Sequence, residues 1–197
     1  MSVYDETIQS ILRENKGFIT AAQAKSAGVP GYCLSKMLAS GALYAVARSI
    51  YALPTHWEDE MYFLQYRFGK GIFSHGTALY LHGMTDRTPH QYTMTFPHGY
   101  NPSGAKKQGI VARVTAQHYA LGVTEAVSAC GNPLKVYDME RTLCDIVRGR
   151  NAEDIQLVNQ AMKAYAAGKG RDIARLLDYA EKLRVKPKIL RYMEVLL

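Results

Sequence analysis

Near the amino end the apolar positions recur at helical spacing. Tyr4, Ile8, Ile11 and Leu12 fall at i, i+4, i+7 and i+8, which predicts a helix over residues 3–15 with one buried face. Asn15, Lys16 and Gly17 end it, and Phe18 with Ile19 reads as a hydrophobic staple into the next helix. Thr20 followed three residues later by Gln23 is a capping box, so an Ala-rich helix is predicted over 21–27. Gly28 can take the left-handed conformation that ends a helix, and Val29, Pro30 and Gly31 re-aim the chain before a second helix over 32–40, which Gly41 stops. The β-prone runs 43–46 and 50–53 flank Ala47, Arg48 and Ser49 and read as a hairpin with a basic tip. Helix, turn, helix and two short strands form a winged helix-turn-helix.

Beyond it, Pro54, Thr55 and His56 make a short joint, giving domains 1–55 and 56–197. Glu58, Asp59 and Glu60 supply the acidic first turn of a helix to about residue 67, the arrangement a helix dipole favours. A further helix over 74–83 ends at Gly83. The period then changes. Residues 92–96 and 110–115 are strand-like and joined by a Gly/Pro-rich loop whose tip carries Lys106 and Lys107, with further strands expected at 118–119 and 134–137. Asp138 stands where an N-cap belongs, ahead of a helix with Leu143, Ile146 and Val147 inward. Three amphipathic helices close the chain, striped by Ile155, Val158, Met162 and Tyr165, by Ile173, Leu176, Leu177 and Ala180, and by Ile189, Met193 and Leu196. The fold class is α+β: an N-terminal winged helix-turn-helix, then a mixed α/β C-terminal domain ending in three helices.

Composition narrows the function classes. Of 197 residues 48% are hydrophobic and 21% charged, enough for a sizeable core. No apolar run reaches membrane-spanning length and the start, Met1-Ser2-Val3-Tyr4-Asp5, is acidic, so a soluble cytoplasmic protein without membrane partners is expected. A net charge of +7 favours an anionic partner, nucleic acid first. Counted by region, residues 1–55 hold five Lys/Arg against three Asp/Glu, 56–150 ten against eight, and 151–197 nine against six. By this count no single region is distinctively basic. Cys33, Cys130 and Cys144 are odd in number and widely spaced, which fits reduced thiols and neither a disulfide framework nor a zinc site.

In a helix-turn-helix the first helix braces the second, whose exposed side chains face base edges in the major groove. In the 32–40 helix Leu34, Met37 and Leu38 form the apolar stripe, leaving Tyr32, Ser35, Lys36 and Ala39 opposite and Ser40 near the border. Tyr32, Ser35, Lys36 and Ser40 can hydrogen-bond bases or phosphates, Arg48 suits the minor groove or flanking phosphates, and Thr20, Lys25 and Ser49 complete the candidate DNA-binding set. Lys106 and Lys107 are additional phosphate candidates, or else the solvated tip of a hairpin. The same fold also serves as a protein-docking or purely structural module. His75 and His82, seven apart, lie about 10 Å apart along a helix, too far for one metal ion, and read as structural histidines capping or bridging elements. Asp138, Glu140 and Asp145 read as capping and surface pairing with Arg141 and Arg148 rather than as catalytic carboxylates. No catalytic residue, metal site or cofactor is expected. The rival is a nucleic-acid-modifying enzyme using His75, His82 or Asp145, with the winged helix as its targeting module; a plain transcriptional regulator is a further alternative.

Three segments in order resemble the AbiEi-type antitoxins of type IV abortive-infection toxin–antitoxin systems in bacteria. They are Gly41-Ala42-Leu43 leading to Arg48-Ser49-Ile50-Tyr51-Ala52-Leu53-Pro54, then Ser74-His75-Gly76-Thr77-Ala78-Leu79-Tyr80-Leu81-His82-Gly83, then Tyr137-Asp138-Met139-Glu140-Arg141-Thr142-Leu143-Cys144-Asp145. The resemblance covers essentially the whole chain. Family members often carry Gly after the wing Arg where this chain has Ser49, so a wing turn of different shape is expected. The resemblance implies that the N-terminal domain binds double-stranded DNA at inverted repeats in its own promoter and represses the operon. It implies that the C-terminal domain counteracts a cognate nucleotidyltransferase-like toxin without forming a stable complex with it.

Overall fold

The computed structural model describes residues 3–55, 59–148 and 153–196. Two compact units divide the chain, Met1–Phe63 and Leu64–Leu197. In the first, helix α1 (Val3–Glu14) buries Ile8 and Leu12, and strand β1 (Phe18–Thr20) leads directly into α2 (Ala21–Ser26). Helix α3 (Gly31–Ala39) and the strands β2 (Tyr44–Ala47) and β3 (Ile50–Ala52) complete the unit. The sheet has the order β1-β3-β2, antiparallel throughout. Phe18 and Ile19, read as a staple, also form the third strand, pairing with Ala52 and Tyr51, while Ile19 shares the buried core with Ala24 of α2. Three residues with one long-range partner carry no alternation of their own. Ile8, Leu12, Ile19, Ala24, Val29, Leu34 and Leu43 form the core.

The division falls within α4 (Glu60–Arg67), eight residues beyond the predicted joint. The first turn of α4 belongs to the first unit because the Tyr62 ring packs on Phe18 at 5.3 Å between centroids. Asp59, buried, caps the helix by accepting from the Tyr62 N–H. His56 and Glu58 of the predicted joint and acidic turn lie outside the described residues.

In the second unit β4 (Ile72–Phe73), α5 (His75–Leu81), β5 (Thr93–Pro97), α6 (Ser103–Lys107), β6 (Val111–Thr115), β7 (Val123–Val127) and β8 (Pro133–Tyr137) build a mixed sheet of order β6-β5-β4-β8-β7. Helices α7 (Met139–Ile146), α8 (Ile155–Ala167), α9 (Ile173–Lys182) and α10 (Lys186–Leu196) follow, and with α5 they enclose a core of Leu79, Leu143, Ile146, Val158, Met162, Leu176, Ala180 and Ile189. The sequence order of the three closing helices is the predicted one. Ile155, placed on the first stripe, is exposed at the first residue of α8.

Three expectations for this unit are corrected. The connection between β5 and β6 is not a Gly/Pro-rich loop alone: α6 lies in it and returns the chain to run in the same direction, so the two strands pair in parallel, Thr95 opposite Arg113. Residues 118–119 form a turn rather than a strand, with His118 at φ 58°. The third correction explains the second. Arg141, read as a surface partner, is one of the largest fully buried side chains. Its Nε donates to Asp145 Oδ2 at 2.9 Å, its Nη1 donates to the carbonyls of His118 (2.5 Å) and Leu121 (2.9 Å), and its guanidinium lies 4.3 Å from the Tyr137 ring centroid. A buried charge is tolerated only when paired and hydrogen-bonded, and this cage does both while fixing the 118–121 turn. Gly122 closes the turn at φ 74°, where a Cβ would meet Arg141 Cβ at 2.7 Å and Asp138 Oδ1 at 2.9 Å. Asp138 is the predicted N-cap, accepting from the Arg141 N–H at 2.7 Å. Glu140, also buried, accepts from the Tyr165 hydroxyl at 2.9 Å and the Asp172 N–H at 3.2 Å.

Candidate nucleic-acid interface

Local chemistry sets the first helix of the pair. The Thr20 hydroxyl accepts from the Gln23 N–H at 3.1 Å, and Gln23 Oε1 accepts from the Thr20 N–H at 2.8 Å. At the other end Gly28, at φ 74°, donates to Lys25 O while Val29 donates to Ala24 O, and the Ala24 and Val29 side chains are buried together. This is a Schellman ending, which turns the chain into α3 with its last carbonyls satisfied.

Helix α3 buries Cys33 and Leu34 and half-buries Met37 and Leu38. The other side is open: Tyr32 is 65% exposed, and Ser35, Lys36, Ala39 and Ser40 are exposed. The two serines already make weak local bonds, Ser35 Oγ to the Gly31 carbonyl at 3.4 Å and Ser40 Oγ to the Met37 carbonyl at 3.1 Å. Each hydroxyl keeps lone pairs to accept from an outside donor. The adjoining Cys33 thiol holds the Tyr32 phenol above its ordinary pKa.

The hairpin supplies the second element. Arg48 and Ser49 form its exposed tip, and a register shift between Ala45 and Ala47 marks a bulge at Val46. Ser49 has φ 61°, the left-handed region that glycine adopts most readily. The Ser49 carbonyl accepts from the Ala21 N–H at 3.0 Å, which ties the tip to the start of α2. Tyr44, 47% exposed on β2, has its hydroxyl about 4.0 Å from where a Gly41 Cβ would stand, beside the end of α3. It was missed in the sequence, although the order buried Leu43, exposed Tyr44 is the signal of an edge strand.

Of the expected DNA-facing set, the structure leaves Lys25, Tyr32, Ser35, Lys36, Ser40, Arg48 and Ser49 exposed, while Thr20 is partly buried with its hydroxyl taken up by the cap. Electrostatics add a feature the regional count concealed. All three acids of residues 1–55, Asp5, Glu6 and Glu14, lie in α1. From residue 15 to 57 there is no carboxylate side chain, against Lys16, Lys25, Lys36 and Arg48. The helix pair and hairpin therefore carry cations alone.

The remaining candidates sit in the second unit. Lys106 and Lys107 are exposed in the last turn of α6, where cations also complement the helix dipole. His82 Nε2 lies 2.7 Å from the Tyr137 carbonyl and so donates to it, bridging α5 to β8. His75 is buried with Nδ1 3.2 Å from Ser74 Oγ, which in turn accepts from Thr95 Oγ1 at 2.9 Å. Burial first, then the charges of Arg113 and Arg141, hold His75 at about 3. Burial raises Asp145 while Arg141 opposes it, and burial pushes the Cys144 thiol up to about 12. Among the described residues no group of three or more His, Cys, Asp or Glu is placed to hold a metal ion, and no helix is long and apolar enough to cross a membrane.

No curated protein matches the chain. Among solved structures, the RV2827C protein from Mycobacterium tuberculosis aligns with 100% of this chain and 81% of its own at 11% identity and a TM-score of 0.49. Residues 6–54, which run from α1 to just past the hairpin, match the family described as transcriptional regulator, AbiEi antitoxin.

Proposed function

We propose that the N-terminal unit is a winged helix-turn-helix that binds inverted repeats in the promoter of its own operon and represses transcription, with α3 in the major groove and Arg48 on the minor groove or flanking phosphates. The observation that carries this is the acid-free stretch 15–57, whose cations include Lys36 on the open side of α3 and Arg48 at the hairpin tip. Two copies related by symmetry on the DNA would read the two half-sites. The protein acts in the cytoplasm and catalyses no reaction of its own. His82 and Asp145, residues an enzyme would use, are engaged in structural bonds, and His75 is buried beside Ser74, which supports that reading. The second unit counteracts a nucleotidyltransferase-like toxin of a type IV abortive-infection system, giving phage resistance without a stable antitoxin–toxin complex.

An electrophoretic shift on the protein's own upstream DNA tests the first half, with a retarded species expected for the native chain and its loss in Lys36→Ala/Arg48→Ala. Equal retardation of the double variant overturns the docking scheme. Co-expression with the product of a neighbouring nucleotidyltransferase-like gene tests the second half: growth should be restored by the chain, with no co-purification.

A further inference from the structure

Edge strand β6 carries Arg113 in register with Thr95, so the two side chains leave the same face of the sheet. Arg113 Nε is buried and has no hydrogen-bond partner among the described residues. A buried donor on a permanent cation is costly to leave unmade, and such a group in a native structure calls for an explanation, a bound water or ion being one. Arg113 lines a cleft of about 350 Å³ together with Arg87, Thr88, His90, Gln91 and Glu153. That volume suits a small molecule.

The walls are held in place. Thr77 Oγ1 accepts from the Thr93 N–H at 2.8 Å, and Thr85 Oγ1 accepts from the Arg87 N–H at 3.2 Å. Arg87 Nη2 donates to Gln156 Oε1 at 3.2 Å, and Nη1 meets Asp154 at 3.4 Å on the exposed rim. Arg113 has no such anchor among the described residues. Its charge reaches His75, where it is the largest cause after burial of that residue's lowered pKa. Glu153, a carboxylate in the lining, makes no ion pair with Arg113 among the described residues.

Two guanidinium groups with donors at fixed angles match a phosphate, and a carboxylate on the same wall matches hydroxyl or amino donors. We propose that this cleft binds a nucleotide, Arg113 and Arg87 taking the phosphate and Glu153 accepting from the sugar hydroxyls or the base amino group. The nucleotide is either free or the 5′-phosphorylated end of a nucleic acid. The site belongs to the second unit alone and stands whether or not the first unit binds a promoter.

Calorimetric titration of the full chain with AMP, GMP, CMP and UMP, with the four corresponding nucleosides, with inorganic phosphate, and with 5′-phosphorylated and unphosphorylated forms of one oligonucleotide tests it. At least one phosphorylated probe should bind, about tenfold or more tighter than its unphosphorylated counterpart, and Arg113→Gln should remove that difference. Glu153→Gln should narrow the preference for the nucleotide over inorganic phosphate. A monophosphate that binds as tightly as the phosphorylated oligonucleotide identifies the free ligand, and the reverse identifies the nucleic-acid end. Binding of no probe, equal binding with and without phosphate, or full affinity in Arg113→Gln overturns the proposal. If Arg113→Gln does not fold, Arg87→Gln on the exposed rim must lose the phosphate preference, and its retention there is equally fatal.

Discussion

The Ala21 N–H donates to the Ser49 carbonyl at 3.0 Å, joining the first residue of α2 to the tip of the β2–β3 hairpin. The neighbouring pair Thr20 and Ile50 closes the β1–β3 ladder, so the hairpin cannot pivot away from the helix pair without breaking sheet bonds as well. Arg48 and the open side of α3 are thus carried on one rigid frame. That frame gives the first prediction. Lys36→Ala and Arg48→Ala should each weaken binding to upstream DNA and make the plot of log affinity against log salt shallower by about 0.9 for each DNA phosphate left without its cation. Fluorescence anisotropy at several salt concentrations measures both, and an unaltered slope in both variants rules out phosphate neutralisation by these two side chains.

Thr20 offers a way to separate its capping role from a role on DNA. Because its hydroxyl is bound to Gln23, Thr20→Ala should cost about 1 kcal/mol of stability, and Thr20→Ser much less. Thermal denaturation reads the cost. DNA affinity measured well below the melting temperature should be unchanged, and a large fall in affinity in Thr20→Ala would reassign the hydroxyl to the DNA.

Ser49 holds a left-handed backbone that a side chain disfavours. Ser49→Gly should therefore raise stability by up to about 1 kcal/mol, while the β-branched Ser49→Val should lower it by a similar amount or more. Urea midpoints of the three proteins check the order, and a stabilised valine variant would mean that the turn is not left-handed in solution.

At Arg141 the cage predicts an asymmetry between two truncations. Arg141→Ala strands buried Asp145 and two carbonyls and should cost about 3–5 kcal/mol, whereas Arg141/Asp145 replaced together by Met and Leu should recover part of it. Chemical denaturation of the single and double variants decides, and equal destabilisation of both would show that the ion pair is not what the turn depends on.

His75 predicts a pH dependence. Its pKa falls from 6.5 to about 3 on folding. Above 6.5 both states are neutral and the contribution to stability is complete. As pH falls from 6.5 towards 3 the unfolded chain gains a proton that the folded chain refuses, so stability declines by about 1.4 kcal/mol per pH unit. His75→Asn, chosen because Asn accepts the φ of 52°, should flatten the decline in urea midpoints between pH 6.5 and 4. Parallel pH curves for the two proteins would place the titration elsewhere.

Much of the candidate interface was legible before folding because its signals are local. Thr20 with Gln23, Gly28 after an Ala-rich run, and apolar Leu34, Met37 and Leu38 at helical spacing each act within one or two turns of chain, and the helices formed where those residues stood. Asp138 was legible as a cap for the same reason. The acid-free stretch was present in the letters too, but a count over 55 residues averaged it with the acids of α1.

What the sequence by itself determined, then, is where helices start and stop and which side of α3 stays polar, since capping and periodicity need only neighbours. Tertiary structure alone decided that Phe18 to Thr20 is a strand, that β5 and β6 run in parallel, and that Arg141 is interior. A short strand exists only once a distant partner satisfies its backbone groups. A charge can enter a core only once its acceptors, here His118, Leu121 and Asp145, converge on it from separate parts of the chain.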